Sequence, residues 1–203
     1  MPYYTRVLGS KDPDIHIDEL IGALEQDGLA AKFELEPSEQ PGKWTMFDIF
    51  NQDGEALAQV ERNSVIDGEL GQDELNEFRE IIQDYKPSSA VKWLTNYFDK
   101  VKVIYAFQML NAAFADSNFE VVSTVKAKIW NETKGILQAD NEGFSNDDGF
   151  HILWQFSDEV TGEWSCAVYN ADGNWDSFIM DLGDATQRIE FQNGIIPKNA
   201  RRL

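Results

Sequence analysis

The sequence predicts an α+β protein of two similar units, each with the order strand, helix, strand, strand, strand, and with a helical segment between them. Three observations lead to this prediction. Short runs of alternating apolar residues indicate strands, and apolar residues spaced by three and four indicate amphipathic helices. Most strands follow one another through short turns, which favours mainly antiparallel sheets. A pattern around residue 44 recurs around residue 164 and suggests an internal duplication.

The first 70 residues carry one strand, one helix and three further strands. A strand over residues 3–8 precedes a helix over 15–26, which has its apolar residues on one face and ends before Gly28. The three following strands are predicted at 32–36, 43–50 and 55–61. Asn51-Gln52-Asp53-Gly54 joins the last two strands and is typical of a hairpin turn.

The rest of the chain begins with helices and ends with strands. Helices are predicted at 73–85, 88–98 and 119–132. Residues 101–109 (VKVIYAFQM) suit either a strand or a continuation of the preceding helix, because their β-branched and aromatic content competes with that continuity. The predicted final elements are four strands and a short helix, at 136–140, 150–156, 163–170, 175–182 and 184–191.

The proposed repeat aligns GKWTMFDIFNQDG at 42–54 with GEWSCAVYNADG at 162–173. With one gap, the Gly, Trp, Asn, Asp and Gly residues coincide. The competing interpretation is two unrelated hairpins, since Asn-x-Asp-Gly recurs wherever a short loop needs a residue with positive φ. Together with the predicted elements, the repeat divides the chain into units at 1–70 and 99–203 and a connecting segment at 71–98. The second unit contains an inserted acidic loop over 136–149, a candidate functional surface.

Composition excludes several classes of function. The chain has 36 acidic and 17 basic residues, a formal net charge of −19 and a sequence pI near 4.3. Nucleic-acid and membrane binding usually depend on clusters of Lys and Arg, so neither partner is expected. The N-terminal residues lack the order of a signal peptide and no apolar run is long enough to cross a bilayer, so a cytoplasmic protein is predicted.

The only pairing of a thiol with an imidazole is Cys166 with His151. The register that matches apolar residues across the two strands places Trp154 opposite Cys166 and turns His151 to the other face, towards Tyr169. A buried cysteine that acts as a small hydrophobic residue is therefore expected instead of a nucleophile. His16 lacks a second histidine at metal-binding spacing, so a surface or packing role is expected.

The sequence also contains no complete metal-binding or cofactor-binding motif. The alternating oxygen ligands of residues 170–176 resemble a calcium loop, but Trp175 stands where an EF-hand needs glycine. Ala171-Asp172-Gly173 is therefore interpreted as a three-residue hairpin loop. Asp140, Glu142, Asp147 and Asp148 form a second oxygen-rich cluster without a ligand pattern. No catalytic, metal or cofactor-binding residue is assigned, and an enzyme is the less favoured class.

The leading hypothesis is a non-catalytic acidic protein that neutralises a basic protein partner, as an inhibitor or immunity-type protein would. A strong negative field accelerates encounter with positive surfaces. The alternative is a small-molecule sensor or enzyme with a cleft between the units, lined by Trp44, Trp164 and Tyr169. The candidate interaction surface consists of Asp73, Glu74, Glu77, Glu80, Asp140, Glu142, Asp147 and Asp148.

Overall fold

The computed structural model describes residues 3–203, except for the side chain of Asp116, and confirms the α+β class. The strands are β1 (Tyr3–Gly9), β2 (Lys32–Leu35), β3 (Met46–Phe50), β4 (Ala56–Ser64), β5 (Val103–Met109), β6 (Ile136–Ala139), β7 (Gly143–Phe144), β8 (Glu163–Tyr169), β9 (Trp175–Asp181) and β10 (Arg201–Arg202). The helices are α1 (Ile17–Gln26), α2 (Leu70–Ile81), α3 (Ser88–Phe98), α4 (Asp116–Thr133) and α5 (Ala185–Gln192). Single 3₁₀ turns cover Ile82–Asp84 and Asn111–Phe114.

The chain forms two compact units, and each unit combines two separate segments. The first unit contains residues 1–73 and 101–135, and the second contains residues 74–100 and 136–203. This division differs from the sequence-based units at 1–70 and 99–203, because β5 and α4 pack with the N-terminal strands.

The first unit is built around an antiparallel sheet in which β5 is a central strand. Its strands lie in the order β2, β3, β4, β5, β1. Residues 103–109 thus form a strand, which decides the ambiguity of this run. In the register of β5, Tyr105 lies opposite Val7 of β1 and Arg62 of β4. Helix α4 packs on β1, and α1 packs on α4, so one sheet face is covered by helices.

The second unit has a smaller sheet in the order β10, β9, β8, which is also antiparallel. One face of this sheet packs with α5 in an apolar core. That core contains Trp154, Phe156, Cys166, Val168, Phe178, Met180, Leu182 and Phe191. Helix α3 packs on β8, and the Trp93 ring of α3 contacts the Trp175 ring of β9 with 5.2 Å between centroids. The aromatic clusters of this unit thus join its helices to its sheet.

The strand predicted at 150–156 does not form. This segment instead contains isolated bridges, one of which pairs His151 with Cys166 in parallel orientation. The His151 N–H donates to the Ser165 carbonyl oxygen, and the Ala167 N–H donates to the His151 carbonyl oxygen. The predicted register, with Trp154 opposite Cys166, is therefore wrong. Trp154 pairs with Lys86, a partner that is distant in sequence.

The internal duplication is not confirmed. Trp44 lies before β3 and is 2% exposed, whereas Trp164 lies within β8 and is 39% exposed. Strand β5, the proposed counterpart of β1, pairs directly with β1.

The shared Asn-x-Asp-Gly pattern reflects a common turn. In the loops that begin at Asn51, Asn146 and Asn170, the asparagine side-chain oxygen accepts hydrogen bonds from the backbone N–H groups two and four residues later. The fourth residue of each loop, Gly54, Gly149 or Gly173, has positive φ. The loop at 146–149 has this geometry without a preceding tryptophan, so turn chemistry alone explains part of the repeat.

Within the predicted inserted loop at 136–149, residues 136–144 form a hairpin and residues 145–149 continue into a further turn. Strands β6 and β7 pair through Gln138 with Phe144 and Ala139 with Gly143. Within the part of the chain that the structure describes, no helix is long and apolar enough to cross a membrane.

Truncation of one buried methyl group in the sheet should lower the free energy of unfolding measurably. Ile49 of β3 is 0% exposed, whereas Ile66 lies in a loop and is 60% exposed. We expect Ile49→Val to cost about 0.5–1.5 kcal/mol, because it removes buried apolar contact. The matched control Ile66→Val should change the value by less than about 0.5 kcal/mol. Urea unfolding followed by circular dichroism measures both, and equal effects would contradict the assigned burial.

Candidate functional site

Helix α2 carries the first group of predicted surface residues. Asp73, Glu77 and Glu80 are exposed and recur at intervals of four and three residues, which places them on one helix face. Asp84, which the sequence analysis did not include, is also exposed and lies in the following 3₁₀ turn. Glu74 is only half-exposed, so Glu77 and Glu80 are better positions than Glu74 for testing this face by substitution.

The second group lies on the hairpin of β6 and β7. Asp140 and Glu142 belong to its turn and are half-exposed. Asp147 and Asp148 lie in the next loop, beyond β7, and are exposed. The Asp148 N–H donates to the Asn146 side-chain oxygen, so the turn itself fixes the backbone beneath both carboxylates. The four residues thus belong to two successive turns separated by a two-residue strand.

Negative charge is divided almost equally between the two units. The first unit has 19 acidic and 9 basic residues, a net charge of −10, and the second has 17 and 8, a net charge of −9. Counted along the sequence, residues 1–86 hold −13 of the total. Once the fold is considered, the excess acid is therefore not a property of the N-terminal region alone.

Several basic side chains are already paired with carboxylates. Arg79 of α2 contacts Asp99 at 2.9 Å, and Arg62 contacts Asp12 at 2.6 Å. Lys128 of α4 lies 2.7 Å from Glu132 and 3.5 Å from Glu19. These local pairs reduce the positive potential that the surface presents.

The pair of Cys166 and His151 lies side by side but is not arranged for catalysis. Both residues are buried, and the His151 ring packs on Phe156 with 4.7 Å between centroids. Burial lowers the pKa of His151 to about 3, although a backbone hydrogen bond to Leu153 opposes this shift. Burial also raises the pKa of the Cys166 thiol. Both groups are neutral at pH 7, which is the reverse of an activated thiolate beside an imidazolium.

The remaining sequence candidates have structural roles. His16 precedes α1, and its backbone N–H donates to the Glu19 carboxylate at 3.3 Å. The Asn170 side chain closes the hairpin of β8 and β9, where Gly173 has φ of +81°, so the predicted three-residue loop is confirmed. Across residues 3–203, no group of three or more His, Cys, Asp or Glu side chains is arranged to hold a metal ion.

A pocket of about 250 Å³ opens in the first unit, between the loop before α1 and the loop before β3. Tyr105 of β5 contributes to its lining and is 0% exposed. The Tyr105 hydroxyl makes no hydrogen bond of normal geometry within the described residues. The pocket is lined by Asp14, Ile15, Gly42, Lys43, Trp44, Thr45, Arg62 and Tyr105.

Charges of both signs surround the Tyr105 hydroxyl. Burial raises the pKa of Tyr105 to about 12, and Arg62 acts in the opposite direction. The Asp12 and Asp14 carboxylates add to the rise. The phenol is therefore neutral at physiological pH and can both donate and accept a hydrogen bond.

Sequence reasoning did not identify this pocket. Its residues come from positions 14–15, 42–45, 62 and 105, and no short motif joins them. The one available signal was a tyrosine within the largely apolar run at 103–109, because Arg62 lies in the polar end of its strand. Of the aromatics proposed to line a cleft, Trp44 lies in this pocket of the first unit. Trp164 and Tyr169 belong to the second unit.

A wider groove of about 710 Å³ runs between α1 and α4 of the same unit. Some of its polar groups are already engaged with neighbouring side chains. The Thr124 hydroxyl donates to Asp27 at 3.0 Å, and Lys128 is held by Glu19 and Glu132. Of its lining residues, Asp27, Thr124 and Lys128 therefore already have partners.

In comparisons with known proteins, no family model, no curated protein and no solved structure matches this chain.

The Cys166 thiol should react slowly in the native protein. It is 0% exposed and its raised pKa leaves little thiolate at pH 7.5. Because Cys166 is the single cysteine, a colorimetric disulfide reagent reports on it alone. We expect almost no label in native buffer and one equivalent in denaturant. Rapid native labelling at the denatured rate would contradict the burial.

His151 should make the protein less stable as the pH falls. Its pKa of about 3 in the folded state lies below the ordinary value of 6.5, so its contribution is complete above pH 6.5 and is lost as the pH falls towards 3. Between pH 7.5 and pH 5 this loss amounts to about 2 kcal/mol. His151→Phe, beside Phe156 and Phe191, should remove that part of the pH dependence.

The native protein and the His151→Phe variant share all other titrating groups. The difference between their pH profiles of unfolding free energy therefore reports on His151 alone. Urea unfolding at pH 7.5, 6 and 5 measures the free energies. Parallel pH profiles for the native sequence and the variant would show that the imidazole is accessible to protons in the folded state.

Proposed function

We propose that this protein binds a basic protein partner and neutralises it without catalysis, as an inhibitor or immunity-type protein does. Helix α2 provides the observation that carries the proposal. Its exposed acids at 73, 77 and 80 share one face, and Asp84 follows them. The basic residue within this stretch, Arg79, is engaged with Asp99 and with the Thr95 carbonyl oxygen. The acidic face is thus not neutralised by its own helix.

The charge of the whole chain supports the same proposal. Both units have a large negative charge, so the field extends beyond a single patch. Long-range attraction of this kind raises the rate at which a positively charged partner arrives, and the local contacts then decide how long it stays. The exposed carboxylates of Asp147 and Asp148 provide a further anionic turn in the second unit.

Reversal of charge on α2 should slow association with the partner. The partner is first isolated by affinity capture from the source extract at low salt, identified by mass spectrometry and purified. Stopped-flow measurement should show an association rate that falls steeply with salt, because the Debye length decreases from about 30 Å at 0.01 M to about 8 Å at 0.15 M. The variant Glu77→Lys with Glu80→Lys should slow association at least tenfold at low salt and leave melting almost unchanged.

A second double reversal controls for net charge. Asp53→Lys with Asp67→Lys makes the same change in exposed loops of the first unit. A smaller effect in this control would assign the interaction to α2. An equal effect would assign it to the general field, and the absence of any basic partner with Kd below about 1 μM would indicate that the acidity serves solubility.

A further inference from the structure

We propose that the pocket at Tyr105 binds a small zwitterion that has a carboxylate and an ammonium group, the chemistry of a free α-amino acid. This site lies within the first unit and is independent of the acidic face of α2. The carboxylate would lie between Arg62 and the Tyr105 hydroxyl, and the ammonium group would face Asp14. The indole of Trp44 would contact the apolar part of the ligand.

The Tyr105 hydroxyl is the first of three features that point to this ligand. It is fully buried and lines the pocket, and although the Arg62 guanidinium lies close enough to act on it, it makes no hydrogen bond of normal geometry with any described residue. A buried hydroxyl without a well-formed hydrogen bond destabilises the protein, and a phenylalanine would avoid that cost. A ligand oxygen that accepts from this hydroxyl would satisfy it.

The backbone pairing and the aromatic packing hold the pocket in place. Tyr105 and Arg62 are directly paired across β5 and β4, so both side chains project from the same sheet face. The Trp44 Nε1–H donates to the Ile15 carbonyl oxygen at 2.7 Å, and the Trp44 ring packs against Tyr105 and Phe47. This wall is therefore oriented before a ligand arrives, which reduces the entropy lost on binding.

The positive and negative charges in and beside the pocket balance one another. Arg62 and Lys43 are positive, and Asp12, paired with Arg62, and Asp14 are negative. An isolated anion would meet the repulsion of two carboxylates, and an isolated cation would meet that of Arg62 and Lys43. A zwitterion can place each end against opposite charge. Arg62 retains N–H donors beyond the one bonded to Asp12, and guanidinium groups pair well with carboxylates.

The volume restricts the size of the ligand. A pocket of about 250 Å³ corresponds to about eight water molecules at liquid density, which is below the usual range for drug-sized ligands. It suits a molecule with on the order of ten non-hydrogen atoms. Amino acids with small or medium apolar side chains fit within this volume, whereas a nucleotide or a peptide would extend beyond it.

Ligand-detected NMR with the full-length protein tests the proposal. The probes are glycine, L-alanine, L-valine and L-leucine, together with propionate as the anion alone and propylamine as the cation alone. We expect saturation transfer to at least one amino acid, with weaker transfer to propionate and propylamine. Titration calorimetry of the best ligand should then show at least tenfold weaker binding by Tyr105→Phe and by Asp14→Asn.

Thermal unfolding of the ligand-free variants separates a binding role from a structural one. Because the Tyr105 hydroxyl makes no well-formed hydrogen bond, Tyr105→Phe should raise Tm by at least about 2 °C while it weakens binding. Tyr169→Phe makes the same change outside the pocket and should leave ligand affinity unchanged.

Three results would overturn the proposal. The first is the absence of binding for all four amino acids at about 10 mM, well above a millimolar Kd. The second is binding of propionate or propylamine as tightly as the best amino acid, because the ligand would then need only one charged end. The third is a lower Tm for Tyr105→Phe, because the hydroxyl would then have a structural partner.

Discussion

Strand β5 forms hydrogen bonds with β1 on one side and β4 on the other, and the first unit depends on this double pairing. It brings together residues that are about a hundred positions apart and buries an almost entirely apolar strand. The same register places Tyr105 between Val7 and Arg62, so the pairing also determines which polar groups meet in the pocket. A shift of one residue would turn every one of these side chains to the other face.

Elements with strong local signals could be predicted from the sequence. Helix α3 was predicted with its correct bounds, because its apolar spacing is regular and Pro87 precedes it. Strand β5 could not be decided, since only its distant partners select strand over helix. The segment at 150–156 looked like a strand but found no continuous neighbour, and its bridges go to Lys86, Ser145 and Cys166. The pocket at Tyr105 was missed for the same reason, as long-range pairing assembles it from residues without a shared motif.

The high acid content has a structural cost where two strands place like charges opposite each other. Glu34 of β2 lies directly opposite Asp48 of β3, a like-charge pair that disfavours the pairing of these strands. Apolar neighbours on the opposite face, such as Phe33 opposite Ile49, compensate for it. Because β2 is the last strand of the first unit on this side, its exposed Glu34 also discourages another chain from adding to the sheet. Negative charge can thus protect this edge whether or not a basic partner binds elsewhere.

The interrupted first unit has a consequence for the nascent chain. Strand β4 ends at Ser64, but its partner β5 ends at Met109, so 45 further residues must leave the ribosome before the sheet can close. At 5–20 residues per second, this delay lasts from about 2 to about 9 s. The open edge of β4 then carries Glu61 and Arg62, whose charges oppose association with other unfinished chains. Arg62, the proposed carboxylate ligand of the finished pocket, would therefore first serve to keep the unfinished sheet soluble.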